Sequence, residues 1–208
     1  MANEPEAIEL LEIFVRTPHQ RFVCSLAGPS ETDRRQTFSV EHRLREPAST
    51  DLLEEFRGCP AATQVVDFYT WHDGGILFRD PDSDAAGLEL LKSSTWPLLR
   101  AAIRETYNFF PADDRPEWLD HFLAFSEVLH SGNYFIVPTA GPDAGKVIYC
   151  DQEGPTATVW ARNFETFIAQ IIEDPAEQID RMGCFLRFRR GDEQWVPERF
   201  FSGDEIAW

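Results

Sequence analysis

Apolar residues recur along this chain with two different spacings, one typical of helices and one typical of strands. Helical spacing predicts helices at residues 4–15, 52–57, from Pro60 to about His72, from Trp96 to Tyr107, at 117–126 and after Asn163. Short apolar runs rich in aromatic and β-branched residues predict strands at 21–26, 37–44, 76–78, 88–91, 134–137, 146–149 and 156–160. The tail adds a predicted hairpin formed by 184–188 and 194–196. Helices and strands are mixed and the turns between strands are short. We therefore predict an α+β fold with a mixed, largely antiparallel central sheet flanked by helices.

Residues that typically begin or end helices define the boundaries of several of these elements. An aromatic helix ends abruptly at Asp73-Gly74-Gly75, and a strand follows at once. Because glycine reaches positive φ at little cost, this corner fixes how the helix enters the sheet. Ser49-Thr50-Asp51 predicts a cap for the helix at 52–57, and Asn163 predicts one for the helix that carries Phe164, Phe167, Ile168, Ile171 and Ile172.

Composition indicates one ordinary folded domain. The chain has 208 residues, and 43% hydrophobic content is enough to build a core, so we expect a single domain over 1–208. Of the six tryptophans, Trp71, Trp96, Trp118 and Trp160 lie on apolar faces and are expected in the core. Trp195 and Trp208 lie in the aromatic tail, which either packs on the core or forms a binding surface, and packing is favoured.

The chain is strongly acidic, with 19 basic and 36 acidic residues and a net charge of −17. Such a surface repels phosphate backbones, so we expect no nucleic-acid partner. The same sign argument favours a basic protein partner, with solubility alone as the other interpretation. The acidic start of the chain does not resemble a signal peptide, and no apolar run approaches the roughly 18 residues needed to span a bilayer. These features favour a soluble cytoplasmic protein without membrane contact.

No pattern of reactive residues predicts catalysis, a metal or a cofactor. The four cysteines, at 24, 59, 150 and 184, are too far apart to predict a zinc site or a dense disulfide framework. The carboxylates of Asp80, Asp82 and Asp84 alternate like the start of a calcium loop, but Ala85 stands at the sixth position and Leu91 at the twelfth. The segment from Gly141 to Lys146 lacks phosphate-loop spacing. One alternative stays open, in which His72 activates Cys59 or Cys150 as a nucleophile.

Three ordered segments resemble the SUKH superfamily, which includes the fungal Smi/Knr cell-wall-assembly regulators and many bacterial immunity proteins. The first runs from Pro60 to Asp73-Gly74-Gly75, the second from the strand at 135–138 through Gly145 to Asp151, and the third is the strand and helix around Phe164 and Phe167. The resemblance covers about 52–175. It leaves an N-terminal helix and hairpin extension at 1–50 and an aromatic C-terminal extension at 176–208. Its motif residues are expected to serve the fold: Pro60, Asp73, Gly74, Gly75, Gly145, Asp151, Phe164 and Phe167.

The resemblance implies a non-catalytic protein-binding module, in bacteria often one that neutralises a cognate toxin. Our first hypothesis is therefore an immunity-type inhibitor of a basic toxin domain. The alternatives are a regulatory or scaffolding module with a non-toxin partner and a Cys-dependent hydrolase. Charge density and loop position predict the contact residues as six exposed carboxylates: Asp80, Asp82, Asp84, Asp113, Asp114 and Glu117.

Overall fold

The computed structural model describes residues 6–27, 34–83, 87–129, 131–151, 157–181 and 187–203. Its helices are α1 (Glu6–Arg16), α2 (Thr50–Leu53), α3 (Thr63–Trp71), α4 (Trp96–Asn108), α5 (Phe164–Glu173) and α6 (Pro175–Arg181). Its strands are β1 (Arg21–Leu26), β2 (Arg35–Ser39), β3 (Glu41–Leu44), β4 (Gly75–Arg79), β5 (Leu88–Leu90), β6 (Phe122–Val128), β7 (Asn133–Pro138), β8 (Val147–Cys150), β9 (Ala157–Ala161), β10 (Phe188–Arg190) and β11 (Glu193–Phe201). Short 3-10 turns lie at Pro60–Ala62, Ser93–Thr95, Ala112–Asp114 and Glu117–Asp120.

The larger sheet has seven strands in the order β3-β4-β5-β6-β7-β8-β9, so each strand pairs with its neighbour in sequence. Each of these pairings is antiparallel. Helices α2 and α3 lie in the connection between β3 and β4, and α4 lies in the connection between β5 and β6. The predicted α+β fold with a largely antiparallel central sheet is therefore confirmed.

Helices cover both faces of this sheet. On one face, Ile103 and Tyr107 of α4 share an apolar cluster with Phe122, Ala124 and Ile136. On the other, the aromatic rings of α5 pack on the sheet, with 5.6 Å between the centroids of Phe125 and Phe167. The Asn163 side chain accepts a hydrogen bond from the Thr166 N–H at 2.8 Å, which confirms the predicted cap of α5. The large sheet is therefore packed between helices on its two faces.

A second, four-stranded sheet unites the two ends of the chain in the order β10-β11-β1-β2. The N-terminal hairpin and the C-terminal hairpin, both predicted, pair with each other through β1 and β11. Trp195 is fully buried, so the tail packs on the core as predicted there, whereas Trp208 and Cys184 lie outside the described residues. The rings of Phe22 in β1 and Phe78 in β4 are 5.8 Å apart and join the two sheets.

One predicted strand, 37–44, is in fact two strands that belong to different sheets. β2 ends at Ser39, and β3 begins at Glu41. Between them, the Val40 N–H donates a hydrogen bond to the backbone carbonyl oxygen of Gln20 at 3.0 Å. The chain therefore changes sheets at Val40. The predicted helix at 52–57 is also shorter than expected, since α2 covers Thr50–Leu53 and the Ser49 side chain forms no cap hydrogen bond.

The predicted helix at 117–126 is wrong. A 3-10 turn occupies Glu117–Asp120, and β6 starts at Phe122. Nearly every residue of β6 is buried, because the strand lies between α4 on one face and α5 on the other. Such a strand shows a continuous apolar run without alternation, and periodicity alone cannot separate that run from a buried helix. The prediction that Trp71 lies in the core is also wrong, since its side chain is 48% exposed.

Candidate protein-binding surface

The Asp73-Gly74-Gly75 corner joins α3 to β4 through backbone contacts that leave no room for larger residues. Gly74 has φ +74, and a Cβ there would lie 2.6 Å from the Leu91 oxygen. Gly75 has no positive φ, but a Cβ there would lie 2.6 Å from the Arg43 oxygen of β3. The Asp73 carboxylate accepts a hydrogen bond from the Ser93 N–H at 2.7 Å, and this bond positions the segment that leads into α4. These contacts support the predicted structural role of the corner.

The three motif segments meet in space. Phe68 of α3 and Phe164 of α5 have ring centroids 5.5 Å apart. Gly145, at φ +83, approaches the helix start that follows Pro60, since its Cβ position lies 3.7 Å from Ala61. Phe167 is buried against β6 and β7, and Asp151 directly follows β8. The three motif segments therefore meet around one core.

The expectation that Asp80 is an exposed carboxylate is wrong. Its side chain is fully buried, and Arg190 of β10 donates to it at 2.6 Å. Burial raises the pKa of this carboxyl. The hydrogen bonds from Arg190, Ser83 and the Asp82 N–H outweigh burial, however, and hold the pKa below its usual value. Asp80 is thus an ionised internal link between the large sheet and the small one.

The other predicted contact residues fall into two separate places. Asp82 is exposed, although it also pairs with Arg190 at 3.0 Å, and Asp84 lies outside the described residues. Asp82 follows β4, and the Gly87 oxygen just before β5 accepts a hydrogen bond from the Leu129 N–H at the end of β6. Asp113, Asp114 and Glu117 precede the other end of β6, which as a strand is about 20 Å long. The described carboxylates of the predicted set therefore do not form one surface.

Two members of the second group line a cleft. Asp114 and Glu117 are exposed, and together with Asp143 they line a cleft of about 370 Å³. The other lining residues are apolar: Pro116, Trp118, Ala140, Pro142 and Ala157. Asp143 pairs with Lys146 at 2.7 Å, whereas Asp114 and Glu117 form no ion pair within the described residues. The cleft therefore combines negative charge with apolar side chains.

Sequence reasoning missed an exposed aromatic ring that precedes the cleft residues in the chain. Phe109 is 84% exposed at the end of α4. Arg115 donates to the Phe110 and Asn108 oxygens at 3.0 Å and ties this segment to Asp114. The apolar stripe of α4 gave a usable signal, because Leu99, Ile103, Tyr107 and Phe110 continue at helical spacing and Phe109 falls outside it.

Thiols and imidazoles are not arranged for nucleophilic catalysis in the described part of the chain. The ring nitrogens of His72 face the Arg45 oxygen at 3.1 Å and the Glu12 carboxylate at 2.9 Å. Burial raises the pKa of both Cys24 and Cys150 to about 12, so these thiols stay protonated at neutral pH. The half-buried Cys59 lies 3.8 Å from the Thr139 oxygen. Neither Cys59 nor Cys150 has His72 as a hydrogen-bond partner.

None of the described helices is long and apolar enough to cross a membrane, and no group of side chains among the described residues could hold a metal ion.

Comparison with known proteins assigns the central part of the chain to a family. No curated protein matches the chain. The model of the SMI1 / KNR4 family (SUKH-1) matches residues 47–170, which run from just before α2 into α5. Since this match spans more than half of the 208 residues, the chain belongs to the SMI1 / KNR4 family, SUKH-1.

Proposed function

We propose that this protein is an immunity-type protein that binds a basic toxin domain and blocks it by occlusion. Family membership supports a protein-binding role, because SUKH domains are often immunity proteins. The net charge of −17 supports a basic partner, since opposite charge accelerates association and disfavours acidic competitors. Among the described residues, no arrangement of histidine and cysteine supports a competing hydrolytic role.

The observation that carries the proposal is the cleft lined by Asp114 and Glu117, together with the exposed ring of Phe109 five residues before Asp114 in the chain. Asp114 and Glu117 supply charge that forms no ion pair within the described residues, and the apolar side chains of the cleft supply apolar contact. Phe109 adds a large exposed aromatic ring, and aromatic side chains are enriched at protein interfaces. We place the centre of the partner interface on Asp113, Asp114, Glu117 and Phe109. Asp82 and Asp84 remain predicted contacts from the sequence.

The first experiment identifies the partner and its activity together. The tagged protein is captured from its native cells at low and at moderate salt, and each candidate is then expressed in a host with and without this protein. The proposal predicts one basic protein that is retained best at low salt, arrests growth when expressed alone, and is harmless when this protein is present. Because surface charges are screened within about 8 Å at physiological salt, retention must fall as salt rises.

The same experiment tests the regulatory alternative. The SMI1 / KNR4 relationship gives that alternative its support, because the resemblance extends to regulators of cell-wall assembly. A partner that does not arrest growth, or a multi-component set, would contradict the immunity role and favour a scaffold. A partner retained equally well at both salt concentrations would contradict the electrostatic part of the proposal.

A further inference from the structure

The large sheet ends at β9, and the outer edge of this strand pairs with no other strand in the described part of the chain. β9 is the last strand in the order that runs from β3 to β9, and its partner is β8. Alternate backbone N–H and C=O groups of an edge strand point away from its neighbour and can pair with a further strand. Extended peptides bind proteins by adding a strand to such an edge.

β9 lacks the residues that usually prevent this pairing. The two sheets formed by the described residues have four edge strands, which are β2, β3, β9 and β10. The other three carry charged side chains: Arg35 in β2, Glu41 and Arg43 in β3, and Arg189 and Arg190 in β10. The sequence of β9, from Ala157 to Ala161, contains neither a charged residue nor a proline. Since charge and proline protect edges from added strands, pairing is least opposed at β9.

The start of β9 lies at the acidic cleft, which is the cleft lined by Asp114, Glu117 and Asp143. Ala157 is the first residue of β9, and it lines this cleft as well. The first three residues of the strand are exposed, and the exposed fraction of Val159 is 45%. The accessible part of the edge is therefore the part next to the carboxylates.

The register of β9 shows which side chains face the same way as the acidic cleft. Val159 lies opposite Ile148, and Ala157 lies opposite Cys150. Opposite residues on paired strands share a face of the sheet, and Ile148 and Cys150 belong to the apolar cluster beneath α4. Ala157 and Val159 therefore lie on that face. A strand added to β9 would place every second side chain on the same face, beside the cleft.

Charge decides which kind of strand fits this edge. A second copy of the chain is disfavoured, because each copy carries a net charge of −17 and would bring its own acidic cleft to the shared edge. Asp114 and Glu117 form no ion pair within the described residues, so both are able to meet a cation. An extended segment with a lysine or arginine on the cleft side satisfies both the backbone of β9 and these carboxylates.

We propose that the basic partner adds an extended segment to the outer edge of β9 and places a lysine or arginine side chain in the acidic cleft. Main-chain hydrogen bonds along β9 supply affinity, and the carboxylates of the cleft select a cationic side chain. This inference rests on the proposed function, since it describes how the partner binds at the same cleft. Its test therefore separates the mode of binding from the identity of the partner.

The mode of binding is tested by NMR titration of the full chain with three end-blocked heptapeptides. The first alternates lysine and valine, the second is the same peptide with every peptide bond N-methylated, and the third has glutamate in place of lysine. The first should give saturable shifts of the Ala157, Thr158 and Val159 amides and slow their hydrogen exchange. Each of the others should bind at least about tenfold more weakly, because one lacks main-chain donors and the other is repelled by the carboxylates. The absence of saturable shifts at β9, or equal affinity for the N-methylated or the glutamate peptide, would overturn the proposal.

Two lysine variants extend the test to the captured partner. Val159→Lys places a charge on the edge and should weaken binding of the lysine–valine peptide and of the partner at least about tenfold, while the spectrum outside β9 persists. Leu98→Lys adds the same charge at an exposed leucine of α4 that does not line the cleft, and should change neither affinity by more than about twofold. An equal loss in the two variants would mean that added charge alone weakens binding, which would contradict the assignment to β9.

The outcomes distinguish a failure of this inference from a failure of the proposed function. A captured toxin that Val159→Lys still neutralises and binds as wild type does would overturn the edge proposal and leave the immunity role in place. Peptide binding at β9 without any toxin among the captured proteins would support the edge as a docking site and contradict the immunity role. A dimer of the chain that Val159→Lys dissociates would assign the edge to a second copy and overturn the proposal.

Discussion

His42 shows how a single buried side chain ties stability to pH. Its ring lies between those of Phe14 and Phe78, with centroids 5.0 and 4.9 Å away. Burial among these rings lowers the pKa of His42 to about 4. In the unfolded chain a histidine titrates near 6.5, so the unfolded state takes up the proton first as pH falls. His42 therefore stabilises the fold fully above about pH 6.5, and that contribution is lost between pH 6.5 and 4.

We expect His42→Gln to flatten the dependence of the unfolding free energy on pH between about 6.5 and 4, because the titrating group is gone while an acceptor for the Phe78 N–H remains. The wild-type loss due to His42 should reach about 3 kcal/mol at pH 4, as expected for a pKa depressed by two to three units. Urea unfolding at several pH values measures it. His121→Gln, at an exposed histidine, is the control. Parallel curves for wild type and His42→Gln would contradict the burial argument.

Two glycines with similar φ angles allow the cost of backbone strain to be distinguished from the cost of steric clash. Gly74 (φ +74) faces the Leu90 and Leu91 oxygens, whereas at Gly141 (φ +86) no atom of the described residues beyond its chain neighbours lies within 4 Å of the Cβ position. Gly141→Val should cost about 1 kcal/mol through φ alone, and Gly74→Val should cost clearly more because backbone must also move. Thermal unfolding of both variants checks the ranking. Equal melting temperatures would show that the corner tolerates a side chain.

At the scale of helices and strands, a prediction from sequence is correct where the element is determined by neighbouring residues. The corner after α3, the Asn163 cap and the strands β7 and β8 follow from neighbouring residues, and they are present as predicted. β6 was misassigned because its burial on both faces depends on α4 and α5, which no local pattern encodes. The position of Asp80 depends on Arg190, 110 residues away, so nothing near Asp80 could show that it is buried.

The Asp80–Arg190 pair is expected to hold the small sheet to the β4–β5 loop. Arg190 also lies over the Phe38 ring, 4.5 Å from its centroid. Arg190→Ala leaves the buried carboxylate of Asp80 without its cation and should destabilise the fold by about 3 kcal/mol. Arg34→Ala is the matched control, because Arg34 pairs with the exposed Glu193 and lies over Trp195. That change should cost at most about 1 kcal/mol for the ion pair.

Urea unfolding of the two arginine variants at neutral pH compares the pairs directly. A similar loss in both would mean that the Asp80–Arg190 pair contributes no more than a surface pair. The pKa of Asp80 is held below its usual value, so its contribution is present at neutral pH and is lost as pH falls through that lowered pKa. The difference between Arg190→Ala and wild type should therefore shrink in strong acid.

At the scale of the whole molecule, the described carboxylates predicted as contacts lie near opposite ends of β6, and those at 114 and 117 line a cleft. The carboxylates at 113, 114 and 117 precede the start of β6. The sequence predicted the family core and the acidity but not this division, because the direction and length of β6 separate the two groups. The ends of the chain, outside the family match, form the small sheet.

The most direct test of the proposed interface is the affinity of the captured basic toxin domain for two charge-matched double variants. Asp114→Asn/Glu117→Gln removes two charges at the acidic cleft, and Asp67→Asn/Glu173→Gln removes two exposed charges elsewhere. We predict that the cleft variant weakens binding at least about tenfold at low salt and lowers its salt dependence. The control variant should stay within about twofold of wild type. Equal losses in the two variants, or wild-type affinity in the cleft variant, would contradict the claim that the protein binds its partner through this cleft.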